Sequence, residues 1–299
     1  MKRNRTVGAG FLVLAVLILN ALVRLIPSGA FDGRINPYIA LILLQILTFA
    51  VPSVVYLLLR RGPAPSRLRL RLPKSRHIVF TVSALLASVS GSTLINYGMS
   101  RLIGSDYSAS SVSYSSALTE GVSGGVYAIF ALALVPAVFE EFLFRGIVAA
   151  EYECCSVKTA VFFSALLFTV SHFSFMRAPV YFFSGLLLVF VMYVTRSVFA
   201  SMLVHAASNI CALFFEDFVY RVVNRQGIVI FLFAVSVVFL LSLIITFGEA
   251  EKIYSYYGVL NIESPPVPSG KERVSFVEAL INPAFAAIIL FYIIMGAIS

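Results

Sequence analysis

The chain has 299 residues, of which 60% are hydrophobic and only 12% charged, and it carries a net charge of +8. Average soluble domains are about 45–50% apolar and about 25% charged, so the composition argues against an ordinary soluble enzyme and for a membrane protein. The basic residues sit beside apolar runs, which reads as positive-inside topology and attraction to anionic lipid, with no nucleic-acid partner.

In chain order, Met1-Lys2-Arg3-Asn4-Arg5 precedes an apolar run over 7–26. Ser28-Gly29-Ala30 mimics a signal-peptidase site, but the run exceeds the ~7–15 residues of a signal h-region and reads as an uncleaved first helix. Further runs near the ~20 residues that a membrane helix needs cover 38–59, 77–99, 123–149, 157–174, 178–195, 197–215, 227–248 and 276–298. The expected fold is therefore all-α: a polytopic transmembrane bundle of about eight or nine helices, forming one membrane domain over 1–299. The sixth and seventh runs are separated only by Arg196-Ser197, which demands a tight turn. Arg60, Arg61, Arg67, Arg69, Arg71, Lys74 and Arg76 crowd the second loop and, with the basic N-terminus, place both in the cytoplasm of a cell-membrane protein. By the same rule 27–37, 100–122 and 216–226 lie outside, 249–275 is a mobile cytoplasmic loop, and the functional site lies toward the cytoplasm. Tryptophan is absent, so tyrosine and arginine take the interfacial role. Cys154, Cys155 and Cys211 show neither a disulfide framework nor a zinc-ribbon spacing.

Charged groups in hydrocarbon cost a few kcal/mol each on insertion scales, about 3 for Asp, Lys or Arg, so an intramembrane ionisable residue is a functional candidate by default. The fourth run holds Phe139-Glu140-Glu141-Phe142-Leu143-Phe144-Arg145. Glu141 and Arg145 stand at i, i+4 and share a face, whereas Glu140 is turned ~100° away. One carboxylate can thus be paired while the other stays available as a general base. The fifth run ends in Phe168-Thr169-Val170-Ser171-His172, and the seventh holds His205 and Asn209, again at i, i+4. Polar side chains on separate helices are how bundles build interior sites. Each group also has a plainer reading: Glu141–Arg145 as a structural ion pair, His172, His205 and Asn209 as hydrogen bonds between helices. Phe142, Phe144 and Phe168 read as lipid-facing or packing residues, and Met202 and Cys211 as filler.

These residues resemble the CAAX prenyl endopeptidase and bacteriocin-processing (CPBP, or Abi) family of intramembrane proteases. Its motifs are two glutamates with arginine after three further residues, phenylalanine four before histidine, and histidine four before asparagine. They occur here in order as Glu140-Glu141…Arg145, Phe168…His172 and His205…Asn209, inside a catalytic core over 120–215. The resemblance implies an endopeptidase acting on a lipidated or membrane-embedded peptide. Glu140 would activate water, His172 would hold it, Glu141 and Arg145 would position Glu140, and His205 and Asn209 would stabilise the oxyanion. A zinc protease using Glu140, His172, His205 and Asn209 as ligands stays open, although the H-e-x-x-H type of helical signature is missing. So do a proton-coupled transporter, which uses the same intramembrane residue types, and a non-catalytic immunity protein that sequesters a peptide. One tension is geometric: with straight helices Glu140 lies ~13 Å and His172 ~22 Å from the same end of their helices, at ~1.5 Å per residue.

Overall fold

The computed structural model describes residues 3–27, 35–60, 68–104, 121–223, 228–261 and 276–298, and these are helical apart from short turns. The helices are α1 (Arg3–Arg24), α2 (Pro37–Leu59), α3 (Ser75–Ile103), α4 (Gly125–Tyr152), α5 (Val157–Val170), α6 (Ala178–Thr195), α7 (Val198–Val223), α8 (Ile228–Val259), α9 (Phe276–Leu280) and α10 (Pro283–Ile298). Among the described residues six are long and apolar enough to cross a membrane, and α5, the Val198–Phe214 part of α7 and α10 are shorter apolar helices. Several boundaries differ from the sequence reading. α4 runs on to Tyr152, and α8 runs to Val259, so the first part of the expected cytoplasmic loop is helix. The last run is divided at Ile281-Asn282, where the Asn282 side chain accepts from Ala284 N and starts α10 at Pro283. Most of 100–122, part of 27–37 and 262–275 lie outside the described residues.

Two helices widen where the sequence places proline. A proline lacks the N–H that bonds four residues back, and its ring crowds that carbonyl. The widened π turns Ile46–Ala50 and Ile129–Leu134 lie just ahead of Pro52 in α2 and Pro136 in α4. Such turns are frequent at functional sites. The tight α6–α7 connection is made by Arg196 in the left-handed conformation, φ 55°. It is braced by the basic segment: Val198 N donates to the Arg69 carbonyl at 3.1 Å, and Ser197 Oγ donates to the Arg71 carbonyl.

α3 packs against α6, α7 and α8, α5 lies along α6, and α1 joins α10 to α2. Small residues allow the closest approach: a Cβ on Gly10 of α1 would sit 2.7 Å from the Ala284 Cβ of α10. Successive membrane helices alternate in direction, so the bundle has two ends. At the end where α2 meets α3, Arg60 pairs with Glu151 and Arg69 with Glu153, both at 2.6 Å, and Tyr193 Oη donates to Glu153 at 2.8 Å. There Arg76 lies over the Tyr256 ring and Arg196 over that of Tyr257, whose hydroxyl donates to the Val194 carbonyl. Cys154 and Cys155 are buried at this basic end, with sulfurs 4.0 Å apart. The hydrogen-bonded Cys154 and burial push the Cys155 thiol up.

Candidate active site

Glu140 and Glu141 are adjacent on α4 and face different surroundings. Glu141 is fully buried, as is Arg145 one turn on. Arg145 Nη1 donates to Glu141 Oε1 at 2.8 Å, its Nη2 donates to the Gly185 carbonyl of α6 at 3.0 Å, and its guanidinium lies 4.5 Å over the Phe168 ring. Gly185 is small for a reason: a Cβ there would be 3.0 Å from the Ala165 Cα of α5. His205 Nδ1 of α7 donates to the same Glu141 oxygen at 2.9 Å. Glu141 therefore ties α4 to α7, and through Arg145 to α6.

Glu140 points the other way, into a cavity of 440 Å³ that His172, His205, Asn209 and Phe168 also line. Its Oε1 accepts from Gln45 Nε2 at 3.2 Å, across from α2. Gln45 stands immediately before the α2 π turn. The cavity has two kinds of wall. Ser88, Ser92, Thr93 and Asn96 of α3 present hydroxyls and an amide, while Leu41, Leu132 and Pro136 present apolar surface. That combination suits an extended peptide, whose backbone needs polar partners and whose apolar side chains do not.

His172 lies in the turn that follows α5. Its Nδ1 is 2.9 Å from the Phe168 carbonyl, and because a carbonyl only accepts, Nδ1 carries the proton and a neutral ring keeps its lone pair on Nε2. The ring stacks on Tyr181 with centroids 3.8 Å apart. Helices distant in sequence hold this turn by its carbonyls. Asn20 of α1 donates to Ser171 at 2.9 Å, Arg24 of α1 to His172 at 3.0 Å, and Tyr292 of α10 to Ser174 at 3.1 Å. Phe173, between them, adopts φ 49°, a conformation that a bulky residue rarely takes unless held.

The depth mismatch shrinks once α4 is extended to Tyr152. Glu140 is then ~18 Å from the α4 end against ~22 Å for His172 in its helix, about one turn apart, at ~1.5 Å per residue. The α5 helix ends at Val170, so the chain stops climbing before His172. Of the two readings of the aromatic residues, packing holds for Phe144 and Phe168, which are buried with their rings 5.5 Å apart. Phe168 lies edge-on to both His172 and His205. Cys211, read as filler, lines the cavity. Sequence reasoning passed over Gln45, Asn20, Tyr181 and Tyr292. Gln45 and Asn20 did carry a signal, as lone amides inside apolar runs, although neither is ionisable.

Among the described residues no three of His, Cys, Asp and Glu are arranged to hold a metal ion. Glu140, His172, His205 and Asn209, the four residues of the zinc alternative, all line one cavity.

Residues 122–211 match the family model described as Type II CAAX prenyl endopeptidase Rce1-like. The match spans every motif residue from Glu140 to Asn209 and leaves α1, α2, α3, α8, α9 and α10 outside it. No curated protein and no solved structure matches the chain. Among the described residues the chain is thus helical, with several helices apolar enough to cross a membrane, and its segment 122–211 is similar to CAAX-protease-like domains.

Proposed function

We propose that this protein is an intramembrane endopeptidase of the cell membrane, cleaving a lipidated CAAX-type or membrane-embedded peptide, with residues 120–215 as its catalytic core. The observation that carries the reading is the division between the two glutamates. Glu141 is consumed by Arg145 and His205, and Glu140 faces the cavity with His172 and Asn209.

In the mechanism Glu140 takes a proton from a water molecule, and the lone pair on His172 Nε2 accepts the water's other hydrogen and orients it. The oxygen attacks the peptide carbonyl. The Asn209 amide donates to the oxygen that becomes negative, and His205 Nε2 joins it when the ring carries both protons, with Glu141 facing Nδ1. Donors placed at a developing oxyanion are worth ~10²–10³ in kcat each. Glu140 then returns its proton to the departing amine as the C–N bond breaks. Arg145 and Glu141 act through position, holding α4 against α6 and α7.

The test is cleavage of a panel of prenylated and unmodified membrane peptides by the purified, detergent-solubilised protein beside Glu140→Gln. Cleavage by the wild type that disappears in Glu140→Gln supports the reading. Equal cleavage by both proteins removes Glu140 as the base, and peptide binding without turnover by both favours a sequestering protein. Metal content and chelator treatment of the same sample separate a base from a ligand: a rate lost to chelator and restored by zinc would make Glu140 a ligand.

A further inference from the structure

We infer that the cavity admits its peptide from the face opposite the basic end, which the charge distribution makes the non-cytoplasmic side of the membrane. The inference rests on the endopeptidase reading for the word substrate, but its geometry is independent of turnover.

The helices alternate in direction, so a cavity confined to one half of the bundle draws on the first halves of some helices and the last halves of their neighbours. That is the pattern here. α2, α4 and α6 contribute lining residues from their starting portions, reaching Gln45 in the first half of α2 and, at the deepest, Glu140 and Leu188 just past the midpoints of α4 and α6. α3 and α7 contribute the stretches from Ser88 and from His205 toward their far ends, and α5 contributes Phe168 and the His172 turn beyond it. The lining takes nothing from 46–87, 141–167 or 189–204, the segments that approach the basic end. Beneath Glu140 the floor is the buried layer in which Arg145 joins Glu141 to the Gly185 carbonyl. Below that layer Glu151 and Glu153 are engaged by Arg60 and Arg69. The site that the sequence placed toward the cytoplasm therefore opens the other way.

Orientation follows from the cations. Among the described residues Arg60, Arg69, Arg71, Lys74, Arg76, Lys158 and Arg196 mark one end, against Arg24, Arg101, Arg177 and Arg221 at the other. Basic flanks stay in the cytoplasm, so the cavity faces away from it. The substrate class narrows accordingly: an exported peptide, or a membrane anchor whose scissile bond lies in the outer half of the bilayer. A lipidated tail displayed on the cytoplasmic surface meets the closed, ion-paired end.

Cysteine labelling with a membrane-impermeant maleimide tests this on the full chain. Native Cys211 lines the cavity and is the probe, in a background carrying Cys154→Ala and Cys155→Ala. Asn96→Cys in that background, lining the same cavity, is a second probe, and Lys74→Cys reports the basic end. The expected result is modification at position 211 and of Asn96→Cys in intact cells, with Lys74→Cys modified only in inside-out vesicles. Modification of the cavity probes only in inside-out vesicles overturns the inference, as does modification of Lys74→Cys in intact cells. Failure of both cavity probes to react from either side overturns it too, because an open cavity must admit the reagent. Labelling does not depend on catalysis, so a protein labelled as expected that cleaves no peptide counts against the protease reading alone.

Discussion

The two halves of this bundle use the same side chains for opposite ends. In the basic half, arginines meet glutamates at contact distance, a tyrosine hydroxyl completes one of these pairs, and arginines lie over tyrosine rings. In the far half, Glu140 is offered a neutral amide by Gln45 and opens on a 440 Å³ cavity. Between them, Arg145 and Glu141 form a layer without solvent exposure. The difference teaches where a bundle can leave a carboxylate without a cation. Charge in hydrocarbon is expensive, and the fold spends its cations on closing one end and bracing the middle. The incompletely matched carboxylate is the one placed beside two histidines and an asparagine.

The largest way to break the contrast is to remove the exception. Glu140→Gln should lower peptide turnover by ~10²–10⁴, the usual worth of a general base, while leaving thermal unfolding in detergent nearly unchanged. Next is the dividing layer. Arg145→Met leaves Glu141 buried without its cation, which typically costs about 3–5 kcal/mol. It should show as a large drop in unfolding temperature, and Arg145→Lys should recover only part of it because the bond to Gly185 is not rebuilt. A smaller effect belongs to the basic half. Arg69→Met breaks a less deeply placed pair, so its loss should fall at or below the ~3 kcal/mol lower bound for a buried one. Its turnover per folded molecule should stay at the wild-type rate, and a drop in kcat there would show that the two halves are coupled. The smallest effects sharpen the site. Asn20→Leu and Gln45→Met each remove one hydrogen bond, worth ~0.5–1.5 kcal/mol, and should reduce kcat roughly two- to tenfold with KM held. An equal fall in both constants' ratio through KM alone would place these residues in substrate binding instead.

How much of the site was legible depends on the kind of contact. Glu141 with Arg145, and His205 with Asn209, are neighbours one helical turn apart, so spacing alone puts them on shared faces. That His205 turns its Nδ1 to Glu141, 64 positions earlier in the chain, has no local signature. The same holds for Asn20, Arg24 and Tyr292, whose carbonyl targets lie more than a hundred residues away. A lone amide in an apolar run announces that it needs a partner, and only packing says which.

By itself the sequence determined the helical membrane bundle, the rough extent of its apolar runs, the basic flank and which polar residues stand inside those runs. Apolar run length, the expense of buried charge and the 3.6-residue period are local properties, and each can be read without knowing what lies alongside. The tertiary structure decided which glutamate faces the cavity, how the His172 turn is held, that α4 runs on to Tyr152, and which helix segments line the cavity. Those outcomes depend on how alternating helices pack side by side, because a cavity is the space that packing leaves unfilled and no single segment encodes it.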